Sequence, residues 1–367
     1  MERTIATLIA GGHPFDFDEL ALGVFAYQYA ENEPYRRYCD QRGHTPDTVE
    51  DWRRIPPVAT RAFKIVDLAC GLPERVFLTS GTTRGLAQRG RHLIPHLALY
   101  RHAALTQFAA CVTPDLERRE VLSLTPPPAL RPESSLVHMV EWIREAHGTE
   151  DSAYFVSEQG LDAPKLCERL GAATAKGDPL FLIGITAAFE DLFAHCQHAG
   201  KAFRLPYGTV IIDTGGNKRG PGSRSLSRAG FLHACWRVLN VPAYHCINEY
   251  GMTELCSQFY DNAIHERRAG RFTPRHKIGP PWTRTRVVDP DTLEEAPPGR
   301  PGLLQHFDLA NCGSVLAVQT EDLGVTVGNG FEITGRLRGA EPRGCALLLE
   351  AMTRNDAPAV ASPTRSR

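Results

Sequence analysis

PLFLIGITAAFEDLFAHCQHAGKAFRLPYGTVIIDTGG, residues 179–216, decides the fold class. PLFLIGI (179–185) is a continuous apolar run of strand length, as expected of a strand buried on both faces. Residues 187–198 read as a helix that Gly200 ends. TVIID (209–213) is a second buried strand, running into a Gly215–Gly216 turn. Strand, helix and strand in this order make a parallel unit with helical cover.

The alternation extends in both directions. Upstream, VFLT (76–79) predicts a strand, followed by a Gly/Thr loop and a helix over about 92–111. EVLSL (120–124) and AYFVS (153–157) predict strands, with helices over about 133–146, closed by Gly148, and over 163–170, ended by Gly171. Downstream, a helix over about 226–239 leads into a strand at AYHCI (243–247). Residues 15–40 are helical and rich in aromatic side chains, and TPD (45–47) predicts a helix that stops before IPPV (55–58). After residue 280 prolines and glycines cluster, and GLLQHF (302–307), SVLAVQT (314–320) and FEIT (331–334) read as short strands. The expectation is an α/β protein: a core over 1–280 with mainly parallel sheets flanked by helices, a small β-rich subdomain over 281–354 that completes the site, and a disordered tail over 355–367.

A chain of 367 residues with 42% hydrophobic residues can bury a large core. Its net charge of -1 gives no electrostatic reason for nucleic acid or an anionic membrane surface as partner. No apolar run approaches the roughly 20 residues of a spanning helix, so stable membrane insertion is not expected. With no secretory signal, the ten cysteines read as reduced thiols of a cytoplasmic protein.

The chemistry lies in short strings. TSGTTRG (79–85) puts hydroxyls and glycines in one turn, where Thr79, Ser80, Thr82 and Thr83 can donate to phosphate oxygens and Gly81 lets the backbone come close. It is not a Walker loop: the GxxxxG from Gly85 to Gly90 continues with Arg91 and His92. The same composition also suits a plain surface turn. IIDTGGNK (211–218) ends a strand in a turn at Gly215 and Gly216, at the strand end where such sheets bind ligands. In NEYGMTEL (248–255), Tyr250 offers a flat ring face, Gly251 a tight turn, Thr253 a hydroxyl and Glu254 a hard carboxylate suited to Mg2+. Asp322, in QTEDLG (319–324), can accept two hydroxyl protons, and Arg336, in FEITGR (331–336), can pair with an anion. Cys345, in RGCALLLE (343–350), follows Arg336, Arg338 and Arg343, cations that lower a thiol's pKa. It equally opens a small apolar run.

In this order the strings resemble those of the carboxylate-adenylating enzymes, which join an acid to AMP. The resemblance covers roughly residues 20–350, and with the IPPV…AFK stretch (55–64) and the RGC it is nearest to the acyl-protein synthetases of the LuxE type. It implies the adenylating fold, with the usual extra C-terminal domain absent or reduced. It also implies ATP and Mg2+ as cofactors, and a carboxylic acid, in this branch a fatty acid, as substrate. Thr79, Ser80, Gly81, Thr82 and Thr83 would hold phosphates, and Gly215 and Gly216 would lie along adenine and acid. Tyr250 and Gly251 would bound the purine. Thr253 would meet the α-phosphate and Glu254 the metal, with Asp322 and Arg336 on the ribose or phosphate. Cys345 would take the acyl group and hand it to an acyl-reductase or carrier protein. One departure is local: Arg84 stands where the family's loop often has glycine. Three other readings remain open: a CoA ligase of the phenylacetate type, an adenylating enzyme that loads a carrier protein or an amine, and a non-catalytic nucleotide-binding module.

Overall fold

The structure is a computed structural model, and it describes residues 1–11, 14–80, 89–215 and 226–337. The N-terminal part holds helices α1 (Glu2–Gly11), α2 (Phe17–Glu31) and α3 (Glu33–Asp40), then the short strand β1 (Val58–Ala59) and a hairpin of β2 (Arg75–Leu78) and β3 (Arg91–Ile94). Next come α4 (Leu97–Cys111), β4 (Glu120–Leu124), α5 (Ser135–His147), β5 (Ala153–Tyr154), β6 (Val156–Ser157) and β7 (Gly160–Leu161). The alternating part continues with α6 (Ala163–Lys176), β8 (Leu180–Ile185), α7 (Thr186–His198), β9 (Val210–Thr214), α8 (Arg228–Ala234) and β10 (Cys246–Tyr250). The remaining elements are β11 (Phe259–Asp261), α9 (Ala263–Arg268), β12 (Lys277–Ile278), β13 (Thr283–Val288), β14 (Gly302–Asp308), β15 (Ala317–Val327) and β16 (Gly330–Arg336).

A 12-stranded sheet runs in the order β13-β14-β15-β16-β12-β11-β10-β9-β8-β4-β5, with β1 joined to β15. The predicted α/β class is what the chain adopts. From β5 through β4, β8 and β9 to β10 every pairing is parallel. From β10 onward through β11, β12, β16, β15, β14 and β13 every pairing is antiparallel. Strands from beyond residue 280 therefore continue the sheet of the α/β part. β10 is the seam between the two halves.

The parallel strands are buried on both faces, which explains their near-continuous apolar sequences. Phe181, Ile183, Val210, Ile212 and Ile247 join the core that contains α4 and α5. Leu180, Leu182, Ile211 and Cys246 join the second core, against α6, α7 and α8. Odd and even residues of β9 and β10 thus enter different layers. A fully buried Phe or Ile side chain contributes about 1.5–3 kcal/mol.

Several local expectations are corrected. Residues 91–94 do not begin a helix: they pair antiparallel with β2, and α4 starts only at Leu97. Pro95 disfavours helical geometry at Ile94, which explains the delay. Helix α6 passes through Gly171 and ends at Gly177, whose φ of +82° supplies the left-handed cap. The helix predicted from residue 45 is a turn followed by a short 3₁₀ segment, Trp52–Arg54. There Thr48 Oγ1 accepts from the Thr45 amide at 2.8 Å and donates to Gly43 O at 3.1 Å, a local pattern that competes with helix. The strand predicted over 153–157 is broken at Phe155 into β5 and β6. The strand predicted over 243–247 is shifted to Cys246–Tyr250, behind a 3₁₀ turn at Ala243–His245. The helix predicted over 226–239 is α8 followed by a π turn over Cys235–Leu239.

Candidate active site

The site is built around the carboxyl ends of β9 and β10, the position from which parallel sheets bind ligands. β9 stops at the Gly215 turn, whose φ of +78° favours glycine. The Thr186 hydroxyl at the start of α7 donates to Gly215 O at 3.1 Å and fixes the turn from below. Gly251 follows β10, and a Cβ placed there would lie 2.4 Å from Glu249 Oε1, so a side chain at this position would displace that carboxyl.

Tyr250, Asp322 and Arg336 come together, although 72 residues separate the first two. The Tyr250 hydroxyl donates to Asp322 Oδ2 at 2.9 Å. Asp322 is the cross-strand partner of Arg336, and the guanidinium lies 3.9 Å from its Oδ1. Arg336 also bonds Glu321 at 3.0 Å, and Glu321 binds Arg61 at 2.7 Å. Phe259, His306 and Phe331 pack against the Tyr250 ring, with centroids 5.6–6.1 Å away. Burial, then the Asp322 carboxylate, push the Tyr250 hydroxyl well above its ordinary pKa, so it stays a donor.

Thr253 and Glu254 lie on the loop after Gly251, and residues from three other segments hold that loop. His92 of β3 contacts Thr253 O through Nδ1, while its Nε2 lies 2.9 Å from Asn311 Oδ1. Burial pushes the His92 pKa down to about 4, against its two hydrogen bonds, which raise it. Asn311 Nδ2 donates to Glu254 O at 3.0 Å. Asp308 accepts from the Cys256 amide at 3.0 Å and the Ser257 hydroxyl at 2.7 Å, and Trp282 Nε1 donates to that hydroxyl at 2.9 Å. Burial raises the Asp308 pKa to about 6. The Glu254 residue is itself buried.

The base of the Thr/Gly loop is a clamped hairpin. Thr79 N donates to Gly90 O at 2.9 Å, and Gly90 N donates to Thr79 Oγ1 at 2.8 Å. Arg89 donates to Thr79 O at 2.5 Å and pairs with Glu133 at 3.3 Å. Because His92 lies on the returning strand, the hairpin is tied to the Thr253 loop. Thr79 and Ser80 are thus placed at the hairpin's base. Gly81, Thr82, Thr83, Gly216 and Cys345 lie outside the described residues.

Beneath β9 and β10 is a charge network that the sequence reading missed. Asp261 accepts from the Asn248 amide at 2.9 Å, from Arg275 at 2.6 Å, from Lys277 at 2.9 Å and from Arg228 at 3.3 Å. Asp213 accepts from Arg228 at 2.6 Å and from Asn248 Nδ2 at 2.8 Å. Lys277 completes its shell on Asn248 O and Oδ1, both at 2.6 Å. Although burial opposes ionisation, Lys277, Arg275 and Arg228 hold Asp261 down to about 2. Charged residues inside strands otherwise buried were the available signal: Asp213 ends the apolar run VII, and Asp261 follows Phe259 and Tyr260.

The comparisons agree with this architecture. The profile of the family described as "Acyl-protein synthetase, LuxE" matches residues 16–353. The long-chain-fatty-acid–luciferin-component ligase of Vibrio harveyi is 24% identical over 345 residues, covering 90% of this chain and 86% of the relative. The ligase of the same name from Aliivibrio fischeri is 24% identical over 347 residues, covering 90% and 87%. Among solved structures, an open conformation of 2-hydroxyisobutyryl-CoA ligase, in complex with 2-HIB-AMP and CoA, superposes with a TM-score of 0.62 at 14% identity. That superposition covers 87% of this chain and 73% of the other, and the likeness is one of fold. On the extent of the profile match, the chain belongs to the LuxE family of acyl-protein synthetases.

Proposed function

We propose that this chain activates a carboxylic acid with ATP as acyl-AMP and then passes the acyl group to a protein thiol. One observation carries the reading: Tyr250, Asp322 and Arg336 meet on one side of the Gly251 turn, and the Thr253–Glu254 loop, tied to the Thr79 hairpin through His92, follows it. Family membership and the names of the two bacterial ligases support acyl activation, and those names specify a long-chain fatty acid.

Tyr250 bounds the nucleoside, and Asp322 receives its ribose hydroxyls with Arg336 alongside. The acid lies by Gly215 and Gly216. Its carboxylate attacks the α-phosphorus of ATP, an oxygen–phosphorus bond forms, and the bond to pyrophosphate breaks. Thr253, with Ser80, Gly81, Thr82 and Thr83 of the loop, donates hydrogen bonds to the phosphate oxygens, and one well-aimed donor is worth about 3 kcal/mol. Glu254 would hold Mg2+, which would neutralise charge on the phosphates. A lone carboxylate fits that ion, since Mg2+ retains water and shares substrate phosphates; among the described residues no group of three His, Cys, Asp or Glu forms a cage of another kind.

The thiol of the second step is Cys345. The other nine cysteines are the described ones: eight are buried and Cys70 is partly so. Burial pushes the thiols of Cys39, Cys70, Cys111 and Cys196 up to about 12, which leaves them poor nucleophiles at neutral pH. The thiolate attacks the acyl carbonyl, a thioester forms and AMP leaves. An acyl-reductase or a carrier protein then takes the acyl group. Incubation with labelled acid, ATP and Mg2+ tests this. Cys345→Ser should keep acyl-AMP formation and lose the hydroxylamine-labile label on the protein. A label that survives in the variant would exclude Cys345 as its sole site.

A further inference from the structure

The end of the IPPV…AFK stretch touches three separate pieces of the candidate site. Ala59 of β1 pairs in parallel with Gln319 of β15, which sets the 3₁₀ turn Thr60–Lys64 beside the strand that carries Asp322. Within that turn Arg61 binds Glu321 at 2.7 Å, and the other carboxylate oxygen of Glu321 binds Arg336 at 3.0 Å. Phe63 is buried, and its ring stands edge-on to that of His92, with centroids 5.7 Å apart. Lys64 lies at the base of the Thr/Gly loop: a Cβ on Gly90 would stand 3.6 Å from Lys64 Cγ and 3.3 Å from Thr79 Oγ1.

The other described cations of this hairpin are already engaged. Arg89 is held by the Leu78 and Thr79 carbonyls and by Glu133, and Arg91 pairs with Asp67 at 2.9 Å. Lys64 is exposed, and among the described residues no hydrogen bond or ion pair engages it. An exposed lysine is ordinarily a solvated one, but two features of the geometry set this one apart. Its stem lies against the glycine whose amide donates to Thr79 Oγ1 at 2.8 Å, so the ammonium extends from the mouth of a loop rich in hydroxyls. Side chains three apart in a 3₁₀ turn also share a face, about 6 Å apart along its axis. Arg61 and Lys64 are such a pair, with Arg61 at the Asp322–Arg336 corner and Lys64 at the loop. A nucleotide with its ribose at Asp322 and its phosphates at the loop would run along that face, and lysine binds phosphate as a point charge.

We propose that Lys64 binds the β- and γ-phosphates of ATP and, with them, the departing pyrophosphate. The proposal rests on the acyl-activation reading for its substrate. It goes further by assigning the cation at the phosphate end to a residue outside both TSGTTRG and NEYGMTEL. The ammonium offsets the charge that collects on pyrophosphate as its bond to the α-phosphorus breaks. AMP lacks both outer phosphates, so Lys64 should distinguish ATP from AMP.

The test uses the full chain and its Lys64→Met and Lys64→Arg variants. Methionine keeps an unbranched stem against Gly90 and removes the charge, whereas arginine keeps the charge. ATP and AMP binding are measured by calorimetry with Mg2+, and ATP–pyrophosphate exchange is measured with fatty acids of short, medium and long chain. Lys64→Met should weaken ATP binding about tenfold or more, raise the KM for pyrophosphate by a similar factor, and leave AMP binding within about twofold of wild type. Its Tm and its KM for the acid should not change, and Lys64→Arg should recover most of the loss. ATP and AMP binding weakened equally, with a lowered Tm, would show a structural role and overturn the proposal. An unchanged ATP affinity would also overturn it. In both cases acid-dependent exchange by the wild type would leave adenylation standing. Selective loss of ATP binding, in a protein that shows no exchange with any acid, would support the role of Lys64 and contradict adenylation. No ATP binding by the wild type would overturn both.

Discussion

The two faces of β10 carry opposite kinds of polar chemistry. On one face Asn248 sits among Asp213, Asp261, Arg228, Arg275 and Lys277, and each of these carboxylates and cations is paired with a group of opposite charge. On the other, one residue along, Glu249 lies with Gln258 and Tyr260, two of whose polar atoms lack partners among the described residues. A completed buried network holds a shape, and each unmet polar atom of an incomplete one carries a cost.

The pH dependence of stability should show that contrast directly. Asp261 titrates at about 2 in the folded protein against 3.8 ordinarily. Its stabilisation is therefore full above 3.8 and lost as pH falls through about 2. Glu249 is raised the other way, chiefly by burial, from 4.5 to about 7. Its contribution is full below 4.5 and is lost as pH rises through about 7.

Breaking the completed face should have the largest effect. Asp261→Ala leaves three cations without their shared anion, so urea unfolding should show a loss of about 3–5 kcal/mol. A loss under about 1 kcal/mol would mean that the network does not hold the strand ends. Next, Glu254→Gln should lower acid-dependent exchange by roughly 100-fold and raise the Mg2+ concentration needed for half-maximal rate, with a nearly unchanged Tm. An unchanged Mg2+ dependence would remove Glu254 from the metal's ligands. On the incomplete face, Glu249→Gln should stabilise the protein at pH 8 by on the order of 2 kcal/mol and flatten its stability profile between pH 5 and 7. A profile that keeps the wild-type slope would show that Glu249 does not titrate there. The smallest change is Tyr250→Phe, which deletes one hydroxyl bond to Asp322. It should raise the KM for ATP about five- to tenfold, an effect of about 1 kcal/mol, and leave kcat near wild type.

The candidate site was legible in the sequence where its residues are contiguous and hidden where folding assembles them. TSGTTRG and NEYGMTEL each carry several candidate residues within one short string, and QTEDLG lies on a strand that meets the second of them through Asp322 and Tyr250. The brackets between these strings could not be read. His92 and Asn311 are 219 residues apart, and each is an ordinary polar residue in its own neighbourhood. Lys277 looks like a surface lysine until β12 brings it to Asp261, 16 residues back, inside the sheet. The fold class was legible from the apolar runs at 179–185 and 209–213. The hairpin at 91–94 was not, because RHLI suits a strand or the first turn of a helix, and only pairing with β2 decides between them. The antiparallel continuation of the sheet beyond residue 280 was hidden for the same reason: short strands show their type in sequence, but their neighbours are set by tertiary packing.

The central claim is that these strand ends join an acid to AMP. Carboxylate-dependent exchange of labelled pyrophosphate into ATP, measured with Mg2+ across short-, medium- and long-chain fatty acids and aromatic acids, tests it most directly. Exchange that requires the acid and falls sharply in Glu254→Gln is the predicted result. ATP binding without exchange for any acid would contradict the claim and leave a nucleotide-binding fold without this chemistry.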